Sequence, residues 1–501
     1  MKRLSWIVLA ATLTTCPAIG QDSRGDLPDI GSPASTTITL DEEYQIGRMI
    51  VKGLRDSGQI VEDPEVNEYI QALGSRLASH AHEGNYRFNF FVVKDPGINA
   101  FALPGGFIGV NAGLVTATAN ESELAGVIAH EIAHVTQRHI ARSIQNSSRT
   151  NMASAAAVLA AILIGATTGM PPDALMGTIT AAQGLAIQQQ ISFTRGNEAE
   201  ADRVGMTFVD NAGFDPSGMP SFFWTMQQRS GSAGAMIPDL LRTHPVTTER
   251  IAETRDRARQ IGARSVADST SYGLIRERLR VQGMPPETNY RDLYRDATNA
   301  DLPSSDDHRY GRAMALLATG DPDSARQAMG LLKDLVDRRP DVTLYYTGLA
   351  VAQLAAGDAQ ASRRTLERAM TLFPRNVPVT VRYAETLMRL GDAKRAHEVL
   401  LDLFNNVPPT PDQARYIALV ASAAGDTGDA YYYMSEYHVM GGDLQMAIDQ
   451  LRLALAVPNL NEVQRQRFEA RIVELKEYLP KGYRERESTG HENPGNPRGI
   501  G

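Results

Sequence analysis

Apolar residues recur every three or four positions between about 120 and 140, which predicts a helix with one buried face. These residues are Leu124, Val127, Ile128, Ile132 and Val135. Asn120 followed three residues later by Glu123 has the form of a helix N-terminus. The pattern therefore predicts one helix that runs from Asn120 to about Ile140.

Two more helices are predicted upstream. Thr39 and Glu42 have the spacing of a capping box that opens a helix through about Leu54. An amphipathic pattern predicts a second helix over about 64–82. After it, apolar and polar residues alternate, which predicts a strand. Its apolar positions are Tyr86, Phe88, Phe90 and Val92.

Two short apolar runs, 100–103 and 107–110, flank Pro104-Gly105-Gly106, which predicts a hairpin turn. A strand edge can bind an extended peptide through backbone hydrogen bonds, without demanding particular side chains. A purely structural hairpin is the alternative, because the sequence does not tell which edge is free.

The segment 152–191 is dominated by small and aliphatic residues and is broken at Gly169-Met170-Pro171-Pro172. Each half is shorter than the roughly 20 residues that a membrane-spanning helix needs. The first interpretation is a pair of buried core helices. A mobile lid over a cleft and a pair of helices on a membrane surface are the alternatives.

Gly-Asp pairs recur in the C-terminal half, and the prolines at 340, 374 and 408 are spaced by 34 residues. The pairs begin at residues 320, 357, 391 and 425, and one at 442 is out of phase. This pattern resembles tetratricopeptide repeats, which have a period of 34. We expect about four repeats that form a concave surface and bind a partner. A helical scaffold that only stiffens the molecule is the alternative.

A length of 501 residues predicts two or three domains, and 43% hydrophobic residues are ordinary for a soluble protein. The net charge is −8, and no basic patch carries interleaved aromatic residues. Nucleic acid is therefore excluded as the main partner.

The N-terminus has the features of a cleaved signal peptide at residues 1–20. Lys2 and Arg3 are positive, residues 4–13 are apolar, and Ala18-Ile19-Gly20 is a small-x-small cleavage site. Cys16 is the only cysteine, so the mature chain would have no thiol. A lipoprotein signal acylated at Cys16 is the rival interpretation, but the threonine before it fits poorly.

His130-Glu131-Ile132-Ala133-His134 carries the clearest chemistry. Two histidines four apart on a helix lie one turn above each other and can bind one metal ion. Glu131 lies about 100° around the helix from His130, so it can reach a water molecule beside the metal. This is the zinc metalloprotease motif His-Glu-x-x-His. His139, five residues beyond His134, is interpreted as a surface or structural residue.

A third ligand is needed, because catalytic zinc usually has three protein ligands. Glu198 and Asp202 share one face of a helix predicted after Gly196. Glu198 can bind the metal, and Asp202 can accept the N–H of a histidine ligand. A solvated acidic helix face is the alternative for this segment taken alone.

His-Glu-x-x-His followed by Arg195-x-x-Glu198-x-x-Ala201-Asp202 resembles the M48 family of zinc metallopeptidases. The resemblance implies one Zn²⁺ per chain, held by His130, His134 and Glu198, with Glu131 as the general base. It also implies catalysis by Asp202, as a proton donor or as a residue that orients a ligand.

The resemblance continues at residues 99–108 and at Thr243-His244-Pro245 with Arg250. In family members of this kind, the histidine equivalent to His244 can occupy the water position on the zinc. His244 is therefore a possible gate, and an ordinary loop histidine is the alternative.

An M48-like domain joined to tetratricopeptide repeats resembles bacterial periplasmic proteases that act on outer-membrane β-barrel proteins. The resemblance implies a periplasmic zinc endopeptidase that degrades unfolded or misassembled outer-membrane proteins and assists their assembly. The repeats would recruit clients or the β-barrel assembly machinery, and peripheral membrane contact is possible. A chaperone or adaptor with a self-inhibited protease site is the alternative.

These inferences predict a mainly α protein: a gluzincin-like α+β metallopeptidase domain with a small sheet, followed by an α-solenoid of repeats. The predicted divisions are a signal peptide (1–20), a flexible lead-in (21–35), the peptidase domain (36–260), a linker with a helix (261–304), the repeat domain (305–480) and a disordered tail (481–501).

Overall fold

The computed structural model describes residues 39–81, 86–146, 194–230, 238–262, 264–285, 287–294, 305–458 and 460–479. The predictions of a signal peptide, a lead-in, an apolar helix pair at 152–191 and a C-terminal tail lie outside the described residues. Among the described residues, none of the helices combines the length and the apolar character needed to span a bilayer.

The N-terminal part begins with α1 (Leu40–Asp56) and α2 (Pro64–Ala78). The capping box that opens α1 is confirmed. The Thr39 hydroxyl accepts a hydrogen bond from the Glu42 amide, and the Glu42 carboxylate accepts one from the Thr39 amide at 2.8 Å. Asp63 caps α2 in a similar way, because its side chain accepts from the amides of Glu65 and Val66.

A three-stranded sheet follows, made of β1 (Asn89–Val93), β2 (Ala100–Leu103) and β3 (Phe107–Asn111). The strand order is β1-β3-β2, with β1 parallel and β2 antiparallel to β3. The predicted hairpin is therefore the β2–β3 pair. The predicted strand began too early at Tyr86, because the first residue of β1 to pair is Asn89, opposite Phe107 where β3 starts.

After α3 (Ala112–Ala117), α4 (Glu121–Thr136) is buried along its whole length. The prediction that this helix continues to about Ile140 was wrong. The helix ends at Thr136, and Arg138 has a left-handed backbone with φ of 52°. The Arg138 guanidinium is 2.6 Å from the Glu43 carboxylate of α1, and a new helix, α5 (His139–Asn146), starts beyond it.

The next helices are α6 (Arg195–Asn211), α7 (Gly218–Ser230), α8 (Asp239–Thr243), α9 (Thr248–Ile261) and α10 (Thr270–Gln282). Helix α6 packs closely against α4 at Gly205. A Cβ atom on Gly205 would lie 3.0 Å from the amide nitrogen of His130 and 3.1 Å from the Ala129 carbonyl. The missing side chain thus lets the two helices that carry the predicted ligands approach each other.

The C-terminal part is a series of antiparallel helix pairs. They are α11 (Asp306–Ala318) with α12 (Pro322–Arg338), α13 (Thr343–Ala355) with α14 (Ala359–Leu372), α15 (Val377–Arg389) with α16 (Ala393–Phe404), α17 (Pro411–Ala424) with α18 (Thr427–Gly441), and α19 (Leu444–Leu455) with α20 (Glu462–Glu477).

The recurring Gly-Asp pairs form the turns between helices. At the turn into α16, Gly391 has a φ of 80°, a conformation that glycine adopts without steric cost. Asp392 then caps α16, because its side chain accepts a hydrogen bond from the Arg395 amide. The pair thus ends one helix and begins the next.

The repeats pack against the N-terminal part. Asn376, the residue that caps α15, donates to the Glu68 carboxylate of α2 at 3.0 Å, and Arg48 of α1 donates to the Val439 carbonyl of α18 at 2.9 Å. One hydrophobic core extends from α2 and the sheet through α10 into the repeats. The two parts therefore pack as a continuous body.

Candidate metal centre

The structure brings His130, His134 and Glu198 together in the interior. The Nε2 atoms of the two histidines are 3.0 Å apart. The Glu198 carboxylate oxygens lie 3.5 Å from His130 Nε2 and 3.6 Å from His134 Nε2. Two imidazole nitrogens and one carboxylate that face each other at these distances form a donor set suited to a single zinc ion.

His244 belongs to the same cluster. It follows α8 directly, and its Nδ1 is 3.0 Å from Glu198 Oε1, while its Nε2 is 3.6 Å from Glu131 Oε1. Donor atoms of His130, His134, Glu198 and His244 all lie within 4.8 Å of one another. The loop histidine therefore lies between the three predicted ligands and Glu131.

Glu131 is fully buried, and neither of its carboxylate oxygens has a hydrogen-bond partner among the described residues. Buried carboxylates are normally hydrogen-bonded. Carboxylate oxygens of this kind, next to His244 and the paired imidazoles, fit a site that binds a cation together with either a water molecule or a substrate. The residues around this point are thus compatible with a metallopeptidase centre.

Asp202 lies behind His130. Its Oδ1 is 3.0 Å from His130 Nδ1, and both of its oxygens accept hydrogen bonds of 2.7 Å from Arg250. Burial by itself would raise the pKa of Asp202, but the contacts with His130 and Arg250 hold this pKa below its usual value. Asp202 is therefore an ionised carboxylate in close contact with the His130 ring.

Arg250 also reaches Glu198, with Nη1 2.7 Å from Oε2, and its guanidinium stacks on the ring of Phe223 at 5.0 Å. It joins Glu198 and Asp202 of α6 to α9. In the sequence, Arg250 stands out only as part of the motif shared with the M48 family. A single arginine 48 residues beyond Asp202 has no periodic signal that would predict this pairing.

The charges around the cluster favour a cation. Burial lowers the pKa of His130, but Asp202 and Glu198 outweigh it and raise this pKa to about 9. Burial and the neighbouring charges of His130 and His244 push the pKa of His134 well below its usual value. Two buried carboxylates thus attract positive charge to the same point at which the imidazole nitrogens converge.

His139 was interpreted as a surface or structural residue, and the surface alternative was wrong because the residue is fully buried. Its Nδ1 is 2.9 Å from His134 Nδ1, and its Nε2 is 3.1 Å from the Glu200 carboxylate. The left-handed turn at Arg138 is the physical reason, because it turns the chain back toward His134. The apolar pattern indicates one unbroken helix here, so it does not predict this contact.

A second cluster lies in the repeats, where His397, Asp426 and Asp429 have donor atoms close together. Arg467 pairs with Asp429, and the Gln464 amide donates to Asp426 at 3.1 Å and to Asp429 at 3.3 Å. Asp429 already has a cationic partner, and both carboxylates accept hydrogen bonds from amides. This cluster is an ion-pair network between helices.

Comparison with known proteins agrees with this geometry. Residues 64–258 match the model of Peptidase family M48, and residues 353–423 match a model of the tetratricopeptide repeat. The protein is therefore a metalloendopeptidase with a C-terminal repeat region, and the predicted mainly α fold with a small sheet is confirmed.

Two similar proteins align with nearly the whole chain. The β-barrel assembly-enhancing protease of Escherichia coli strain K12 is 31% identical over 476 residues, which cover 94% of this chain and 96% of that protein. A protein of Vibrio cholerae has the same name, marked there as provisional. It is 37% identical over 461 residues, which cover 92% of this chain and 94% of that protein. The chain belongs to the family of β-barrel assembly-enhancing proteases.

Proposed function

We propose that this protein is a zinc endopeptidase of the bacterial periplasm, with a peptidase part at 36–260 and a repeat part at 305–480. It degrades unfolded or misassembled outer-membrane β-barrel proteins and assists their assembly. The convergence of His130, His134 and Glu198 beside the bare carboxylate of Glu131 carries the catalytic part of the proposal. The names of the similar proteins support the choice of client.

Two histidines and one glutamate are a ligand set typical of catalytic zinc. His130, His134 and Glu198 would hold the zinc, which would acidify a water molecule and polarise the scissile carbonyl. Glu131 accepts the proton of the attacking water and delivers it to the leaving amine. Asp202 Oδ1, 3.0 Å from His130 Nδ1, orients that ligand; its pairing with Arg250 supports this role over proton donation.

Strand β2 offers a place for the substrate. It pairs with β3 on one side and is the last strand in the order β1-β3-β2. It also packs against α4, the helix that carries Glu131. An extended segment of an unfolded client can add to this edge through backbone hydrogen bonds. The repeats recruit such clients, or the assembly machinery, on the surface formed by their stacked helix pairs.

Casein digestion with and without a chelator tests the enzyme function. The wild type should cleave casein, lose cleavage with a chelator and regain it when zinc is added. His134→Ala should contain less than one zinc ion per chain and cleave nothing, while its circular dichroism spectrum stays helical. Cleavage that a chelator leaves unchanged would refute the proposal.

A second function, a chaperone or adaptor with a self-inhibited site, is favoured by the position of His244. Its Nδ1 lies 3.0 Å from Glu198 and its Nε2 faces Glu131. A gate in this place would keep a substrate water away until a client binds. Prevention of client aggregation by the zinc-free protein, together with no cleavage, would support this alternative.

His244→Ala separates a gate from an ordinary loop histidine. If His244 blocks the water position through a contact of about 1 kcal/mol, its removal should raise casein cleavage about fivefold. Zinc content should stay at that of the wild type. His308→Ala, in a repeat helix, serves as the control and should not change cleavage. A fall in cleavage would show that His244 does not gate the site.

A further inference from the structure

We infer that His139 is a positioning residue of the metal centre: it accepts the Nδ1–H of His134 and donates its own hydrogen to Glu200. This inference rests on the proposed metal centre. It adds a second series of contacts behind a histidine ligand, the first being the contact of Asp202 with His130. Neither His139 nor Glu200 belongs to the set of predicted ligands or catalytic residues.

The tautomers follow from the positions of four nitrogens. His134 Nε2 faces His130 Nε2 and Glu198, so it must be free of hydrogen to bind a cation, and Nδ1 carries the hydrogen. His134 Nδ1 and His139 Nδ1 are 2.9 Å apart, and only one of them can hold a hydrogen between them. His139 Nδ1 is therefore the acceptor.

The direction of the next hydrogen bond, from His139 to Glu200, then follows. With Nδ1 as an acceptor, neutral His139 carries its hydrogen on Nε2. That nitrogen is 3.1 Å from the Glu200 carboxylate, which accepts the hydrogen bond and also pairs with Arg142 at 3.0 Å. The contacts run in one direction, from the ligand His134 through His139 to the carboxylate of Glu200.

This arrangement connects the two parts of the proposed ligand set. Glu200 is two residues from Glu198 on α6, whereas His134 belongs to α4. His139 is held between them because Arg138 adopts a left-handed turn and is paired with Glu43. The contact therefore fixes the His134 ring relative to the helix that supplies the third ligand.

His130 and His134 are thus oriented in different ways. His130 meets a carboxylate directly, with Asp202 Oδ1 3.0 Å from its Nδ1. His134 reaches a carboxylate only through His139. Loss of a partner that orients a ligand typically lowers metal affinity 10- to 100-fold. We expect a loss of this size when the acceptor at His139 is removed.

The test compares His139→Leu with His139→Asn. Asparagine can place its Oδ1 where Nδ1 of histidine lies, so it keeps an acceptor for His134, whereas leucine fills similar space without one. Zinc affinity of the full-length protein is measured by competition with a chromogenic chelator. His139→Leu should bind zinc 10- to 100-fold more weakly, and His139→Asn should stay within about threefold of the wild type.

His397→Leu is the matched control, because His397 is also a buried histidine but lies in the repeats. It should lower the melting temperature and leave zinc affinity unchanged. Wild-type zinc affinity in His139→Leu would overturn the inference, while chelator-sensitive cleavage would leave the proposed function intact. Equal losses in the leucine and asparagine variants would also overturn it, since they indicate a packing role.

A measurement on the wild type covers the case in which the leucine variant does not fold. In zinc-loaded protein labelled with ¹⁵N histidine, the ring nitrogens of His139 should show the neutral tautomer with hydrogen on Nε2. Hydrogen on Nδ1 of His139 would overturn the inference. A wild type that binds no zinc would instead refute the proposed function itself.

Discussion

Glu131→Gln is expected to retain the fold and the zinc while casein cleavage falls by about a thousandfold. The amide has nearly the shape of the carboxylate but cannot accept a proton from water. Both carboxylate oxygens of Glu131 lack hydrogen-bond partners among the described residues, so the substitution breaks no hydrogen bond there. The loss should therefore appear in kcat, with little change in stability.

Metal analysis, thermal unfolding and casein cleavage on the same preparation check this expectation. Glu253→Gln, on a half-exposed position of α9, is the matched control and should cleave like the wild type. His134→Ala marks the other extreme, because it should lose zinc and activity together. If Glu131→Gln cleaves casein within tenfold of the wild-type rate, Glu131 is not the general base.

Local patterns predicted the elements that carry the site. The apolar spacing around His130 and the polar helix after Gly196 both depend on residues within a few turns, so α4 and α6 could be predicted from the sequence. The Gly-Asp pairs were equally informative, because a left-handed glycine and a capping aspartate are needed at every turn of this kind.

Contacts between distant segments could not be predicted. The helix break at Arg138 depends on Glu43, 95 residues earlier, since an arginine adopts a left-handed backbone only where other contacts hold it. Once the break was missed, the position of His139 was missed as well. The pairing of Arg250 with Asp202 and Glu198 also joins distant segments, and no local sequence pattern predicts it.

The contact between the peptidase part and the repeats is another contact between distant segments. Glu65, in the first turn of α2, is 3% exposed and accepts hydrogen bonds of 3.0 and 2.7 Å from Arg382 of α15. Arg278 of α10 donates to the same carboxylate at 3.1 Å and to Asp63 at 2.8 Å. One carboxylate thus holds two arginines from different helices, the buried Arg278 and the partly buried Arg382.

Glu65→Gln should therefore lower the free energy of unfolding by about 3–5 kcal/mol, because it leaves buried guanidinium charge without its full compensation. Because the peptidase part and the repeats share one hydrophobic core, this loss of stability should appear in the main urea unfolding transition. Glu385→Gln is the control. Glu385 contacts the same Arg382 at 3.0 Å but is 35% exposed, so its loss should cost less than about 1 kcal/mol.

The pH dependence distinguishes the ion pair from simple packing. Burial by itself would raise the pKa of Glu65, but Arg278 and Arg382 hold this pKa well below its usual value. The carboxylate therefore contributes its full stabilisation above the unfolded-state pKa of about 4.3, and this contribution shrinks as the pH falls below that value. Between about pH 4.5 and pH 3, the difference between the urea midpoints of the wild type and Glu65→Gln should shrink steadily, and it should vanish only as the pH falls through the depressed folded-state pKa of Glu65. A difference that stays constant over this range would assign the effect to packing, because the glutamine side chain of the variant carries no charge at any pH.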